Sequence, residues 1–373
     1  MVKQILLKAI SGERISFDEG LRLLESASLL DLGYAANEVR RRFHPENAPF
    51  TFVIDRNVNY TNVCTAYCQF CAFYAAPGSK KAYVLPYEVI KEKTQELVDL
   101  GGTTLLLQGG HNPELGIEYY EELLGNLRRD FPKLILHALS PSEIDHITST
   151  SKISLKETLQ RLIKAGLSSI PGGGAEILTD RVKDIISPLK MPASRWLEVM
   201  EYAHELGLKT TATMMFGSVD TPVDQMEHLI KLRNLQDKTS GFTAFITWTF
   251  QPGGTPLAKR VDKLATAHDY LRMVAVSRIV LDNVRNIQSS WVTQGPELGQ
   301  VAFSFGANDF GGTMMEENVV SAAGTTCRVS LDEMIHCIHN LGRDAAQRDT
   351  QYNILKVFER KACTESAKEL QTV

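Results

Sequence analysis

From Phe52 onward the chain alternates between two patterns of hydrophobic and polar positions. Short β-branched or apolar runs, which suit strands, are each followed by a longer stretch whose apolar positions recur every three or four residues, the period of a helix. The runs that predict strands are Thr51–Asp55, Thr103–Leu107, Leu134–Leu139, Ser168–Ile170, Thr210–Met215, Phe242–Thr247, Arg285–Gln288 and Val301–Phe305. Among the helical stretches, Pro86 to Leu100 runs into Gly101, Leu155 to Ala165 into Gly166, and Arg195 to Leu206 into Gly207. Glycine just past the last apolar helical position is the expected stop. Eight strand–helix units over about 280 residues fit an α/β (β/α)8 TIM-type barrel, with an open doubly wound sheet as the alternative.

Ahead of this alternation, residues 1–48 read as a small helical addition. Ser16-Phe17-Asp18-Glu19 is a capping box opening a helix that carries Leu21, Leu24 and Leu30, and Ala35 to Phe43 makes a second helix. The segment is expected to lie as a lid across one end of a barrel spanning 49–325. A C-terminal helical segment over 326–373 is expected to close the barrel.

Composition narrows the class. Hydrophobic residues are 43% and charged residues 23% of the chain, as in a soluble globular protein. A formal charge of -4 supplies no polybasic face, so a nucleic-acid partner is not expected. The start lacks a long apolar run and nothing approaches the roughly 20 residues of a membrane span, so the expectation is a cytoplasmic chain without membrane insertion.

Cysteine usage changes the picture further. Of the 6 cysteines, Cys64, Cys68 and Cys71 form C-x3-C-x2-C, while Cys327, Cys337 and Cys363 are scattered and read as buried apolar residues. Such clustering without an export signal suggests metal binding, not a disulfide framework. A [4Fe–4S] cluster normally takes four cysteines, so three leave one iron open. A structural zinc would need a closed set of four ligands, and the next histidine is only His111.

In a barrel, chemistry gathers at the carboxyl ends of the strands. Here those ends carry the cysteine loop, Gln108-Gly109-Gly110-His111-Asn112, Ser140-Pro141-Ser142-Glu143, Pro171-Gly172-Gly173-Gly174-Ala175-Glu176, Trp248-Thr249-Phe250-Gln251, Gln288-Ser289-Ser290-Trp291 and Gly306-Ala307-Asn308-Asp309. The glycine run after Pro171 lacks the Lys-Ser/Thr of a P-loop and the spacing of a dinucleotide fingerprint, so it reads as backbone passing close to a ligand. Glu176 follows it, either facing that ligand or serving the next helix N-terminus. His111 lies where a ligand would sit, and His137 reads as a core histidine. Tyr60, Trp248 and Trp291 either stack on a flat ring or fill the core.

The triplet, with Phe70 before its last cysteine and Gln108-Gly109-Gly110 one unit later, resembles the radical S-adenosylmethionine (SAM) superfamily. Longer stretches resemble its enzymes of futalosine-dependent menaquinone synthesis and of deazaflavin (F0) synthesis. These are Asn59 to Cys64, Phe70 to Phe73, Gln108 to Pro113, Leu139 to Glu143, Pro171 to Glu176, Asn286 to Trp291 and Gly306 to Asp309. Ile54 to Asn62, Leu115 to Tyr120 and Trp248 to Pro252 resemble the member that cyclises dehypoxanthine futalosine, ahead of aminofutalosine synthase and the F0 synthase component. A non-catalytic iron–sulfur or zinc protein is the alternative of another class.

The resemblance implies a [4Fe–4S] cluster on Cys64, Cys68 and Cys71, with Phe70, Gln108, Gly109, Gly110, Ser140 and Glu176 around SAM. The superfamily's Gly-Gly-Glu element departs here to Gln-Gly-Gly-His. The implied reaction takes a hydrogen from the substrate's ribose, adds the new radical to the benzoate ring, and then removes one electron and one proton. A flavodoxin or ferredoxin is the implied reductant. Tyr60, Asn62, His111, Gln288 and Asp309 are the candidate substrate residues. His111, Asp309 and Glu143 are candidate proton acceptors, and Arg56, Arg285, Asn62 and Gln288 candidate donors to the benzoate carboxylate.

Overall fold

The computed structural model describes residues 1–361. Three helices open the chain: α1 (Val2–Ile10), α2 (Phe17–Ser26) and α3 (Leu29–Arg41). The alternation then runs β1 (Phe50–Val53), β2 (Asp55–Asn59), α4 (Tyr87–Asp99), β3 (Thr104–Gln108), α5 (Ile117–Asp130), β4 (Ile135–Ala138), α6 (Pro141–Ser151), α7 (Leu155–Ala165), β5 (Ser169–Ile170), α8 (Asp180–Ile186) and α9 (Ala193–Glu205). It continues with β6 (Lys209–Phe216), α10 (Pro222–Thr239), β7 (Phe242–Thr249), α11 (Ala267–Val280), β8 (Asn286–Gln288), α12 (Trp291–Gln294), α13 (Pro296–Val301) and β9 (Asp309–Gly312). Last come α14 (Leu331–Asn340), β10 (Ala345–Arg348) and β11 (Ile354–Phe358).

The strands from β2 to β9 are parallel and lie side by side in chain order. One stretch, residues 50–59, touches both ends of that order. Its β2 half pairs with β3, and its β1 half pairs with β9, Thr51 opposite Asp309 and Val53 opposite Gly312. The sheet therefore curls round in the manner of a TIM-type barrel, its helices packed outside and its strands buried on both faces. At the rim where the strands begin, β10 pairs with β1 in the space that β3 leaves. Gln347 donates to the carbonyl of Gly101 (2.8 Å), and the hydroxyls of Thr104 and Thr350 meet at 2.7 Å. The β10–β11 hairpin thus closes the floor.

Four expectations need correcting. Val301–Phe305, expected as the eighth strand, is the end of α13 followed by a 3₁₀ turn over Ala302–Phe305. Alternation would send successive residues to opposite faces, but here Ala302, Phe303 and Phe305 are all buried in one turn. The Phe303 ring lies 4.4 Å from Phe50 and 5.7 Å from Phe310, and Phe305 packs under Gly33. Gly306 at φ 96° then reverses the chain. The true eighth strand is Asp309-Phe310-Gly311-Gly312, which reads like a turn but is buried throughout.

The N-terminal addition has three helices rather than two, and Leu30 belongs to α3 instead of continuing α2. The capping box at Ser16 is formed as read. Its position also differs: α2 packs on α10 and α11, and α3 packs on α11 and the 3₁₀ turn. Arg272 and Arg233 pin it by donating to the carbonyls of Ala27 (2.8 Å) and Ile15 (3.0 Å). Among the described residues the C-terminal segment holds one helix and a hairpin rather than helices alone, and Cys363 lies outside the described residues.

Candidate active site

A cavity of about 410 Å³ runs from the loop after β2 through the barrel to the end of β10. Cys64, Cys68 and Cys71 line its mouth; Val53, Thr104 and Arg348 line its far end. The cysteine loop is tied to three neighbours. Thr65 N–H donates to the carbonyl of His111 (3.1 Å), Gln69 N–H to that of Ile186 (2.8 Å), and Leu257 N–H to that of Gln69 (2.8 Å). Between the first two cysteines, Tyr67 holds a left-handed φ of 45°, which side chains rarely adopt unless their surroundings impose it.

The three thiols suit a soft, cationic centre. Burial pushes the Cys68 thiol up to about 12 and raises Cys71, so unliganded thiols would keep their protons at neutral pH. A metal cluster supplies the positive charge that makes thiolates favourable there. Among the described residues no three His, Cys, Asp or Glu side chains converge on one ion position. A cluster whose irons are held one by one asks for thiols that share a cavity, not a point. His111, the histidine that follows in sequence, places Nε2 2.7 Å from the Ser142 hydroxyl and stacks on His146 at 4.8 Å.

The double glycine after β3 exists for contact with the cysteine loop. A Cβ on Gly110 would stand 2.2 Å from the Val63 carbonyl oxygen, and one on Gly109 2.5 Å from the Tyr60 ring. Tyr60 itself is fully buried behind Gly109 and does not line the cavity. Its hydroxyl donates to Glu143 Oε1 (2.7 Å), which also accepts Gly109 N–H (2.8 Å). Glu143 Oε2 accepts the backbone N–H (2.8 Å) and hydroxyl (2.7 Å) of Ser140. This capping box at α6 therefore doubles as the clamp on the Gly-Gly turn. Four donors occupy the Glu143 carboxylate, which removes it as a free proton acceptor.

Gln108, His111, Ser140, Glu176, Gln288, Phe70 and Asn62 all line the cavity. Burial holds His111 well below the usual histidine range, so it is neutral and a poor base. Asn62 is committed to its own loop, donating to the carbonyl of Lys81 (2.9 Å) and accepting Tyr83 N–H (2.9 Å). Glu176, at a left-handed φ of 42°, meets Lys190 at 3.1 Å and Lys183 at 3.6 Å. Burial opposes its ionisation, yet the two ammonium groups hold its carboxyl below the usual range. Glu176 is thus an ion-pair partner rather than a cap for α8, whose N-cap is Thr179. Lys190 also lies over the Phe70 ring, 5.4 Å from its centre.

Asp309 stands elsewhere than expected. It is fully buried outside the cavity lining and is bonded to Arg348 through both oxygens (2.5 and 2.7 Å), so it is no free base. Of the expected carboxylate donors, Arg56 pairs with Glu96 and Glu316 on the outside of the barrel, and neither it nor Arg285 lines the cavity. Trp248 lines the cavity, whereas Trp291 is core, its indole donating to the Gly312 carbonyl (3.0 Å). His137 is buried and bonded to Ser169 (2.9 Å), though its ring reaches the cavity wall.

Sequence reasoning missed Lys190, Asp55 and Arg348, all of which line the cavity. Lys190 sits in an irregular Pro188-Leu189-Lys190-Met191-Pro192 stretch with no motif around it. Asp55 had a usable signal: it opens Asp55-Arg56-Asn57-Val58-Asn59, where strand alternation puts three polar side chains on one face.

Residues 58–233 match the Radical SAM superfamily, and residues 239–361 match the CofH/MqnC C-terminal region. The chain is similar to cyclic dehypoxanthine futalosine synthase of Halalkalibacterium halodurans, 48% identical over 97% of each chain. It is 46% identical to that of Streptomyces coelicolor, over 96% of this chain and 90% of the relative. It is also similar to aminodeoxyfutalosine synthase of Thermus thermophilus, 37% identical over 95% of each. Among solved structures, methylornithine synthase superposes with a TM-score of 0.69 at 19% identity, covering 92% of this chain and 97% of that one, a likeness of fold alone.

Proposed function

Because this chain belongs to the radical SAM superfamily, and within it to the CofH/MqnC family, we propose that it is the enzyme that cyclises dehypoxanthine futalosine in menaquinone synthesis. The observation that carries this reading is the identity of 48% and 46% to two such cyclases over nearly the whole chain, against 37% to the sister synthase. Enzymes of the superfamily use a [4Fe–4S] cluster and SAM. Cys64, Cys68 and Cys71 are the residues that would hold the cluster. Bound there, the pair would supply radical hydrogen-abstraction chemistry directed at the substrate's ribose.

The chain's own residues position and shield. Gly109 and Gly110, fixed by Tyr60, Ser140 and Glu143, present the backbone of the β3 end beside the cysteine loop. Phe70, Gln108, Glu176 and Lys190 surround the SAM end. Leu106, Ile246 and Trp248 give the aryl ring of the substrate an apolar wall, and Gln288 faces it from β8. The enclosed barrel keeps water from a carbon radical that would attack any C–H bond within reach. A small flavodoxin- or ferredoxin-type protein is the reductant in this reading.

Two incubations test it with anaerobically reconstituted enzyme, SAM and a low-potential reductant. Dehypoxanthine futalosine should give the spirocyclic product with 5′-deoxyadenosine. Turnover only of the enolpyruvyl ether of 3-hydroxybenzoate would assign the chain to the sister activity.

A further inference from the structure

The cavity has two cationic side chains among the described residues, and they stand at opposite ends. Lys190 belongs to the cysteine end. Arg348 stands at the floor, on the last residue of β10, 5% exposed at its side chain. Its place is fixed from three sides. Nε and Nη2 donate to Asp309, Nη1 donates to the carbonyl of Asp349 (3.0 Å), and the Tyr352 ring lies 3.9 Å from the guanidinium carbon. Asp309 is itself held by the Thr51 hydroxyl (2.5 Å) and Gly311 N–H (2.9 Å). A guanidinium has five N–H donors, and these contacts use three.

The floor also keeps unspent polar atoms. Asn57 is 3% exposed and its Oδ1 has no partner among the described residues; neither has the buried Tyr352 hydroxyl. Both line the cavity. Asp55 accepts Met314 N–H at one oxygen (2.8 Å) and its carboxyl lies flat on Gly312, where a Cβ would stand 2.2 Å away.

Resting on the cyclase reading, the geometry points to the floor as the carboxylate site of the substrate: Arg348, oriented by Asp309 and Tyr352, takes the benzoate while the ribose faces the cysteine end. An arginine with two N–H groups left over, at the wall of a largely apolar cavity, suits a planar carboxylate. Charge balance permits it. Burial pushes the Asp55 carboxyl up to about 6 despite the nearby Arg348. That leaves Asp55 able to take up a proton as a carboxylate arrives, which would keep the net charge around Arg348 unchanged. Asp55 and Asp309 are the carboxylates facing Arg348, and Tyr352 and His137 are the other titratable groups there; burial raises the Tyr352 phenol and holds His137 down at about 3, so both are neutral.

The test compares equilibrium binding of dehypoxanthine futalosine with that of its carboxamide, in which the benzoate is a primary amide, to cluster-loaded enzyme without reductant. Wild type should bind the acid about 10–100-fold more tightly, the worth of charge-assisted hydrogen bonds in a buried site. In Arg348→Lys, which keeps a cation against Asp309, the preference should fall to a few-fold while SAM affinity stays unchanged. Equal binding of acid and amide by wild type would overturn the assignment, and so would a full preference surviving in the lysine variant. A matching loss of SAM affinity in Arg348→Lys would give the site to the methionine carboxylate instead. If wild type binds neither ligand, the cyclase reading fails and takes this one with it, a result distinct from the others. The wild-type arm needs no variant to fold.

Discussion

The two ends of the cavity are built by different means. The mouth is made of short contiguous pieces: C-x3-C-x2-C, Gln108-Gly109-Gly110 and Ser140-Pro141-Ser142-Glu143 each carry their chemistry within a few residues. The floor is made of pairs that meet only on folding, Asp309 with Arg348 across 39 positions and Asp55 with Met314 across 259. Local motifs can be read because spacing along the chain sets spacing in space. Contacts between segments far apart in the chain have no such signature, and it is there that the substrate's carboxylate is placed.

The largest effect should come from breaking the mouth. Cys68→Ala should lose the brown colour, most of the iron and all SAM cleavage down to background, read by iron analysis and 5′-deoxyadenosine formation, while the fold seen by circular dichroism persists. Retention of full iron and turnover would refute the cluster assignment. The floor should answer in stability first. Asp309→Asn leaves Arg348 buried without its counter-charge, which costs about 3–5 kcal/mol; urea unfolding measures it, and a loss under about 1 kcal/mol would mean the pair is already solvated.

Asp55 separates the two ends by pH. Its folded carboxyl is raised to about 6, against about 3.9 in an unfolded chain. The folded state thus holds this proton more tightly. The stability it contributes is complete below about pH 4 and is lost as pH rises through about 6, amounting to as much as about 3 kcal/mol. Asp55→Asn should therefore flatten the stability profile between about pH 4 and 7 and leave the variant the more stable protein at pH 7. An unchanged slope would show that Asp55 titrates as an ordinary carboxylate. A buried acid that destabilises its own fold at neutral pH is the expected mark of a residue kept for a ligand.

The same contrast explains what was legible. Strand–helix alternation was readable because seven of the eight units begin on a hydrophobic run, although the first strand, read as Thr51–Asp55, is followed by the polar β2 to Asn59, which makes the pairing with β3. The eighth failed because Val301-Ala302-Phe303-Ser304-Phe305 is more apolar than the strand that displaces it. Asp309-Phe310-Gly311-Gly312 is a strand through its neighbours: Asp309 is neutralised by Arg348, and a Cβ on Gly312 would strike Asp55. Tyr60, Ser140 and Glu143 were visible as residues of the site, but not in their function, since nothing in the spacing says that Glu143 reaches back across 34 positions to Gly109. Asp309 was visible for the opposite reason: a polar residue at a strand end draws notice whether it faces the ligand or, as here, the residue that does.

The smallest effect sharpens the comparison from the side of the mouth. Gly110→Ala adds one methyl group 2.2 Å from the Val63 carbonyl and 2.8 Å from Cys64 Cβ. Backbone cannot yield there as a side-chain tip would, because Gly110 N–H donates to the Thr61 carbonyl (3.1 Å) and Cys64 N–H to that of Ala75 (3.0 Å). Overpacking of this kind costs about 1–3 kcal/mol. The strain falls on the cysteine loop, so the variant should fold but take up less iron, with a shifted electron paramagnetic resonance signal in the reduced state. Gly125→Ala, at a helical position where a Cβ meets nothing within 4 Å, should be neutral or slightly stabilising. Were Gly110→Ala to load a normal cluster, the strand end and the cysteine loop would be independent pieces, and the mouth would be no more a local construction than the floor.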